Sequence, residues 1–192
     1  MIETTTTDRI RQAAFALFEQ DGVDATSVAA ICRAAQVSNG SFFHAYATKD
    51  ALAGDIYLSA LASYHAAMVK AVSGNPSAAD GVAALVRAHV SWVVRERGLA
   101  TFIFEQVRAG WLDTLREAQK AENGRYRDAL NGWRLRHVSE GALADLEDEV
   151  FMAQLIGPAQ MVCRAWLSGR RSQSPKTHLP DLARCAQMVL CT

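Results

Sequence analysis

The strongest constraint on the fold is a helical apolar pattern at the start of the chain that ends at a glycine. The pattern predicts a helix from about Thr7 to Gln20, with Gly22 as its stop. Its apolar side chains, spaced three and four residues apart, are Ile10, Ala13, Ala14, Leu17 and Phe18. A stripe of this width must be covered by neighbouring helices, so the chain is predicted to fold by packing helices together.

Two shorter helices are predicted immediately after the first. Thr26 is the expected N-cap of the second helix, whose apolar positions repeat the same spacing. Ser38 is the expected N-cap of the third helix. A helix, a tight turn and a second helix between Ser27 and Tyr46 have the size of a helix-turn-helix. These patterns predict a small N-terminal domain, residues 1–49, built on that motif.

Residues 50–192 are predicted to form a second, wholly helical domain. A long fourth helix is expected from about Lys49 to Val72, capped by Thr48. Five further helices are predicted at about 78–97, 100–109, 111–137, 142–168 and 180–190. Half of the residues are apolar and only four are proline, a composition that favours helices over strands. The predicted fold class is all-α, with about nine helices.

Glycine and proline weaken two of these later helices. Gly124 and Gly132 lie inside the 111–137 segment, so a break is expected there. Gly157 and Pro158 lie inside the 142–168 segment and predict a kink.

Several classes of protein are disfavoured by the sequence. The four cysteines contain no Cys-x-x-Cys pair and lie in apolar helical patterns, so we expect buried thiols, no disulfide, no metal site and no cofactor. No apolar run reaches the length of a membrane span and the N-terminus has no signal-peptide pattern, so a cytoplasmic protein without membrane contact is expected. No Glu is followed three residues later by His, and the histidines are scattered, so an enzyme is not expected.

The charge of the chain gives no support for nucleic-acid binding as a whole, because 20 basic residues balance 20 acidic ones. The local distribution is more informative. Between Asp24 and Asp50 there is no acidic residue, whereas Arg33, Lys49 and the titratable His44 lie in or beside the helix-turn-helix. Over residues 1–49, four basic side chains face five acidic ones, a formal charge of −1.

Residues 26–52 read TSVAAICRAAQVSNGSFFHAYATKDAL, and this segment resembles the DNA-binding signature of the TetR family of transcriptional repressors. Gly40, Ser41, Phe43, Lys49 and Leu52 are in register with that signature. The resemblance extends over about residues 7–60 and implies an N-terminal helix-turn-helix domain followed by a helical domain for ligand binding and dimerisation.

The resemblance and the residue types together predict a DNA-binding surface. Short polar side chains in the first turn of a recognition helix suit hydrogen bonds to base edges or phosphates, and a glycine there lets the backbone approach the duplex. Free N–H groups and a lysine at a helix start suit a phosphate oxygen. The predicted DNA-binding residues are Thr26, Ser27, Ser38, Asn39, Gly40, Ser41, Phe43, His44 and Lys49.

The chain departs from the family signature at three places. Gln36 stands where the family has the turn glycine, and a left-handed conformation there costs about 1 kcal/mol for a residue with a side chain. Phe43 replaces the usual tyrosine and lacks its hydroxyl. Ala45 and Tyr46 replace the usual Tyr-Phe pair, which leaves His44 and Lys49 as the expected backbone contacts.

Aromatic side chains in the middle of the chain suggest an apolar ligand pocket. The predicted lining residues are Met68, Trp92, Phe102, Phe104, Trp111, Tyr126 and Trp133. His89, Gln106 and Arg108 are the expected polar groups beside them. The alternative is that these aromatics are ordinary core.

The last two predicted helices are the candidate dimer interface, by resemblance to the family. The segment from Val150 to Trp166 carries small residues that permit close helix approach, namely Ala153, Gly157, Ala159 and Ala165. Leu182 to Leu190 forms the second helix. The alternative is burial of both helices inside one subunit.

The function predicted from these features is a ligand-responsive, DNA-binding transcriptional regulator. We expect a homodimeric repressor that leaves a palindromic operator in double-stranded DNA when a small apolar or amphipathic effector binds. The alternative is a helical ligand-binding protein whose DNA-binding domain is degenerate.

Overall fold

The computed structural model of the protein describes residues 5–105 and 110–192, so the expected polar residues Gln106 and Arg108 lie outside the described residues. Over the described ranges the chain forms nine α-helices: α1 (Thr6–Asp21), α2 (Val28–Ala35), α3 (Asn39–Ala45), α4 (Lys49–Val72), α5 (Ala78–Arg95), α6 (Arg97–Glu105), α7 (Arg116–Ser139), α8 (Asp148–Leu167) and α9 (Leu179–Leu190). Two short 3-10 helices are added at Gly110–Leu115 and Pro175–His178. The predicted all-α fold class is confirmed.

Two details of the later helices differ from the sequence-based expectation. The 111–137 segment begins as a 3-10 helix, and α7 then continues through Gly124 and Gly132 without the expected break. The helix predicted to start at residue 142 starts at Asp148, because Leu143 leaves the helical path to form a β-bridge with Cys191. α8 includes Pro158 within its helical span, and the kink predicted there stays a prediction.

The described residues group into two compact units. Unit 1 comprises Met1–Ala60 and Phe102–Gln119, as far as these ranges are described, and unit 2 comprises Leu61–Thr101 and Lys120–Thr192. This grouping is separate from the domain boundary predicted after residue 49, which stays a prediction.

Unit 1 is built on α1, α2 and α3. The predicted apolar stripe of α1 faces inward at Ile10, Ala14 and Phe18. Opposite it, α2 buries Ile31 and Cys32, and the centre of the unit is completed by Ala35, Phe42 and Leu52. Gly22 ends α1 with a φ of 82°, a left-handed value that suits glycine.

Unit 2 is a packed group of helices in which α5 contacts both α8 and α9. α5 is buried along most of its length, with Val82, Leu85, Val90 and Trp92 among its inward side chains. α5 also packs against α7, where the Trp133 indole lies against the backbone of Gly81.

Candidate nucleic-acid interface and ligand-binding residues

Helix α3 exposes its polar first turn, and its buried side chain is the ring of Phe42. Ser38 caps it, as predicted, by accepting a hydrogen bond from the Ser41 backbone N–H at 3.0 Å. Phe42 is fully buried and anchors the helix to the core of unit 1. The outward-facing predicted residues are Ser38, Asn39, Gly40, Phe43 and His44, whereas Ser41 is half-buried. The helix therefore exposes most of the side chains predicted to contact DNA.

The turn between α2 and α3 has the backbone geometry expected at Gln36. Its φ of 55° and ψ of 48° are left-handed, and its N–H donates to the carbonyls of Cys32 and Arg33. The chain thus makes the family turn without glycine. The backbone bonds around the turn keep α3 in place despite the conformational cost.

The start of α2 differs from the prediction at Thr26. The N-cap is Ser27, whose exposed side chain accepts from the Ala30 backbone N–H at 3.1 Å. Thr26 is buried, and its hydroxyl donates to the Gly22 carbonyl at 2.8 Å. Thr26 therefore secures the loop between α1 and α2, and its hydroxyl is not presented to solvent, whereas Ser27 is accessible as predicted.

The Lys49 side chain forms hydrogen bonds within unit 1. Its ammonium donates to the carbonyls of Val23 at 2.5 Å, Thr26 at 2.8 Å and Asp24 at 3.1 Å. These three bonds match the three donors of an ammonium group. The first turn of α4 holds the loop before α2 in this way, and Thr48 caps α4 as predicted. The phosphate contact predicted for Lys49 would require these bonds to be exchanged.

A polar network missed by the sequence analysis fixes the end of α3. The Tyr46 hydroxyl donates to the Asp55 carboxylate on α4 at 2.7 Å. Arg11 on α1 pairs with the same carboxylate at 3.3 Å and donates to the Ser59 hydroxyl at 2.6 Å. Burial, followed by the bond to Asp55, raises the pKa of Tyr46, so the hydroxyl stays protonated as a donor. No sequence pattern links these residues, because they come from three helices.

The exposed residues of α3 share a shallow, open concavity with the first turn of α1. It is lined by Thr6, Thr7, Gly40, Ser41, His44 and Ala45. Arg9 and Arg33 are exposed elsewhere on the same unit. Hydroxyl, imidazole and backbone groups on a convex helix beside a concavity are suited to a nucleic-acid backbone and groove.

The residues predicted to line a ligand pocket are divided between the two units. In unit 1, Phe102 stacks with Phe18 and with Trp111, at centroid distances of 6.2 and 6.0 Å. Trp111 also meets Tyr57 edge-on at 5.9 Å, and Phe104 is half-buried. Phe102 and Trp111 are thus members of an aromatic core, which was the alternative considered for them.

The other predicted ligand residues lie in unit 2 and are mostly core. Met68 and Trp92 are fully buried, with the Trp92 indole N–H donating to Ser63 at 3.2 Å. Trp133 is buried and donates to the Pro76 carbonyl at 3.0 Å. Tyr126 is the exception, because it lines a cavity between α7 and α8 with a volume of about 310 Å³.

Unit 2 has three buried histidines, His65, His89 and His137, and the pKa values of His65 and His89 are lowered. The Tyr64 hydroxyl and His89 Nδ1 are 3.0 Å apart, and the His65 Nδ1 is 3.0 Å from the Glu122 carboxylate. Burial lowers the pKa of His89 to about 4. Burial also lowers the pKa of His65, against the opposing effect of Glu122.

The depressed pKa of His89 predicts a loss of stability in acid. Between the ordinary histidine pKa of 6.5 and about 4, unfolding takes up a proton that the folded protein excludes, so stability falls as the pH falls through this window. From about pH 7 to about pH 5 this group is expected to remove about 2 kcal/mol from the free energy of unfolding. Urea titrations of the wild type and His89→Gln check this, since the variant should show a shallower pH dependence. Equal slopes would contradict the prediction.

The outer faces of α8 and α9 carry exposed apolar side chains. Val150 and Met161 on α8 and Met188 and Val189 on α9 are exposed; Met161 has 68% and Met188 77% of its surface accessible. Among the small residues, Ala153 is exposed and Gly157 and Ala165 are half-buried. Ala159, in contrast, is buried inside the subunit, so the expectation that it faces a dimer partner is wrong.

The four cysteines differ in their exposure to solvent. Cys32 and Cys163 are buried thiols as expected, but Cys185 is exposed and Cys191 is half-buried, so the expectation of burial is wrong for these two. No cluster of three metal-ligating side chains occurs among the described residues. None of the described helices is both long enough and apolar enough to cross a membrane.

Comparison with known proteins connects both the N-terminal motif and the whole fold to one group. Residues 10–56 match the family described as bacterial regulatory proteins, tetR family. No curated protein matches the chain. The whole chain is similar to a TetR family transcription regulator from Marinobacter aquaeolei VT8, at 16% identity, with 97% of this chain and 95% of that chain covered and a TM-score of 0.79.

Two further solved structures are similar over nearly the full chain. The fatty acid degradation regulator FadR from Bacillus halodurans is 15% identical, with 97% of both chains covered and a TM-score of 0.78. The transcriptional regulator FadR from Bacillus subtilis in complex with stearoyl-CoA is 16% identical, with 93% of this chain and 96% of that chain covered and a TM-score of 0.77. At these identities the likeness shows the fold alone. The resemblance to the TetR family noted from the sequence is confirmed.

Proposed function

We propose that this chain, which matches the tetR family of bacterial regulatory proteins over residues 10–56 and has the fold of TetR-family regulators throughout, is a transcriptional repressor that binds a palindromic operator as a homodimer and is released by a small effector. The observation that carries the proposal is the exposed polar first turn of α3, held over the buried Phe42. The bond between Tyr46 and Asp55 secures the other end of the same helix.

Asn39 is the proposed base-reading side chain. It is the first residue of α3, it is exposed, and the neighbouring Ser38 takes the capping role that would otherwise compete for it. An exposed asparagine amide matches the donor and acceptor pair of an adenine edge in the major groove. Phe43, 55% exposed, is suited to the methyl group of a thymine.

Phosphate contacts are proposed for the groups around this reading face. His44 and the first turn of α1 border the concavity, and Ser27 lies accessible at the start of α2. Backbone contacts of this kind position the protein without reading sequence. Because Lys49 is bonded internally, we expect fewer phosphates to be neutralised than the number of basic residues suggests.

The test of the DNA-binding proposal is fluorescence anisotropy with a palindrome from the adjacent promoter at several salt concentrations. Asn39→Ala is expected to weaken operator binding about tenfold, the discrimination carried by one bidentate base contact, and to leave binding to unrelated DNA nearly unchanged. Each neutralised phosphate should add about 0.9 to the slope of log affinity against log salt concentration.

Gln20→Ala is the matched control, because it removes an exposed amide from the last turn of α1, outside the concavity. It should leave operator affinity unchanged. If Asn39→Ala and Gln20→Ala bind the operator equally well, Asn39 does not read bases. If the wild type binds no promoter DNA, the repressor proposal fails, and the near-neutral N-terminal domain would then favour a ligand-binding protein with a degenerate DNA-binding domain.

Dimerisation is proposed through the exposed apolar faces of α8 and α9. Large apolar side chains exposed on neighbouring helices mark an interaction surface, and small residues such as Ala153 and Gly157 let a second helix approach closely. A pair of α3 helices related by a twofold axis would read the two halves of a palindrome.

Release of the protein from DNA is proposed to depend on a difference in the effector's affinity for two conformations of the protein. A ligand that binds both conformations equally does not shift the equilibrium between them. The cavity between α7 and α8 offers a site for a small amphipathic molecule. A regulator with the same fold has been solved with stearoyl-CoA, itself an amphipathic ligand.

A further inference from the structure

Positive charge is concentrated in residues 150–192. This segment holds five basic side chains and one acidic one, although the whole chain has no net formal charge. The basic residues are Arg164, Arg170, Arg171, Lys176 and Arg184. The acidic residue, Asp181, pairs with Arg184 at 3.0 Å, so no acidic side chain of the segment is left for the other four.

The basic residues around the end of α8 share one end of unit 2 with Arg97. The Arg97 guanidinium lies over the Trp166 ring, 4.6 Å from its centroid, which places the first residue of α6 beside the last turn of α8. The 3-10 helix Pro175–His178, which carries Lys176, also contacts α8. We define the basic surface by five exposed residues, Arg97, Arg164, Arg170, Arg171 and Lys176.

The loop that carries the two adjacent arginines is fixed at both ends. Gly169 turns the chain after α8 with a left-handed φ of 72°, and the Arg171 backbone N–H donates to the Ala165 carbonyl at 3.0 Å. Pro175 is buried at the other end of the loop. Because the loop backbone is already ordered, less conformational entropy is lost when its side chains bind an anion.

Three cations of the basic surface have no carboxylate partner. No ion pair in the described part of the chain involves Arg170, Arg171 or Lys176. Arg170 Nε donates to a neutral group, the Ser168 hydroxyl, at 3.0 Å. The exposed polar neighbours on the loop are Ser168, Ser172 and Gln173. Hydroxyl and amide side chains beside arginine and lysine are suited to the phosphate oxygens of a nucleic acid.

We propose that the basic surface binds backbone phosphates of the double-stranded DNA whose bases α3 is proposed to read, an inference that rests on the proposed function. Residues 1–60 hold four basic and seven acidic side chains, and the Lys49 ammonium is bonded to carbonyls of its own unit. Attraction between cations and phosphates supplies most of the sequence-independent affinity for DNA. The chain passes from unit 2 to unit 1 within α6, five residues after Arg97. The basic surface thus provides the positive charge that residues 1–60 lack.

An anionic membrane is the less suitable partner for this surface. Segments that bind to membrane surfaces combine basic side chains with large apolar ones that enter the lipid. From residue 164 to residue 178, no large apolar side chain is exposed. Duplex phosphates are bound by charge and hydrogen bonds alone, so the composition of the loop favours DNA.

The test compares the wild type with the double variant Arg170→Gln/Arg171→Gln, which removes two charges and keeps polar side chains. Fluorescence anisotropy is measured with the promoter palindrome and with an unrelated duplex over a range of salt concentrations. The slope of log affinity against log salt concentration is expected to decrease by about 1.8 for each bound subunit, since each lost phosphate contact contributes about 0.9. Both duplexes should be weakened by the same factor, because phosphate contacts carry no sequence information.

Arg87→Gln/Arg127→Gln is the matched control. It removes two charges from exposed arginines of α5 and α7, outside the basic surface, and should leave the slope unchanged. Basic side chains after a helix can also stabilise its C-terminus through the helix dipole. Thermal denaturation separates the two roles, since the phosphate contact predicts a lower slope at an unchanged unfolding temperature.

The proposal is overturned if Arg170→Gln/Arg171→Gln keeps the wild-type slope, or if the control lowers the slope equally. Loss of wild-type binding to vesicles of equimolar phosphatidylglycerol and phosphatidylcholine, with the DNA slope unchanged, would assign the surface to a membrane instead.

The same titrations distinguish this inference from the proposed function. A wild type that binds both duplexes equally, with a lowered slope in Arg170→Gln/Arg171→Gln, would support the basic surface and contradict operator recognition. A preference for the palindrome, with no change of slope in the variant, would do the reverse. A wild type that binds neither duplex would contradict both.

Discussion

Replacing Met161 with glutamate is expected to convert the proposed dimer into a monomer and to lower operator affinity at least about a hundredfold, because a monomer loses the benefit of two linked half-sites. Met161 is among the most exposed apolar side chains of α8. In a twofold interface the substitution acts on both copies, so two carboxylates are introduced into one apolar patch. Their burial without partners is strongly unfavourable.

The control for this prediction is Leu135→Glu. Leu135 is an exposed apolar residue of α7, so the same change is made away from α8 and α9. Light scattering after size-exclusion chromatography gives the mass, and anisotropy compares a palindrome with a single half-site. Met161→Glu should bind the two DNAs almost equally, whereas Leu135→Glu should behave as the wild type. A Met161→Glu protein that remains dimeric would exclude this face as the interface.

Gly81→Ala is expected to lower the free energy of unfolding by about 3 kcal/mol, at the upper end for overpacking a core. A Cβ atom at residue 81 would lie 2.1 Å from Cζ2 of Trp133. The indole is rigid and cannot retreat easily, since its N–H bonds to the Pro76 carbonyl and its ring packs edge-on against His137. The clash therefore outweighs the gain in helix propensity that alanine normally brings.

Gly124→Ala is the comparison that separates this clash from helix propensity. Gly124 also lies inside a helix, but a Cβ atom there meets no other group within 4 Å. It is expected to raise the free energy of unfolding by about 1 kcal/mol. Thermal and urea denaturation of both variants should give changes of opposite sign. A stabilised Gly81→Ala protein would show that Trp133 is free to move.

Local interactions account for what the sequence predicted well. The cap at Ser38, the cap at Thr48, the stop at Gly22 and the left-handed Gln36 each depend on backbone groups within a few residues. Short-range hydrogen bonds of this kind leave a recognisable residue type at a fixed position. The all-α fold and the inward face of α1 followed from the spacing of apolar residues in the same way.

Long-range contacts account for what the sequence could not show. Lys49 bonds to carbonyls 23 to 26 residues earlier, and backbone carbonyls have no sequence signature. The aromatic side chains predicted to line one pocket are all similarly apolar. Phe102 nevertheless packs with α1 in unit 1, whereas Trp92 lies in unit 2. Periodicity indicates that such side chains are buried but does not identify their neighbours.

The anchoring of α4 at two places within unit 1 has a consequence for the proposed control of operator binding. Lys49 attaches the loop before α2, and Asp55, about 9 Å further along the helix axis, attaches the end of α3. A rotation of the part of α4 between Lys49 and Asp55 would therefore move the exposed face of α3 as a rigid body and would not change its shape. Regulation would then act on the register between two half-sites, and each half-site would be recognised by the same chemistry whether or not the effector is bound.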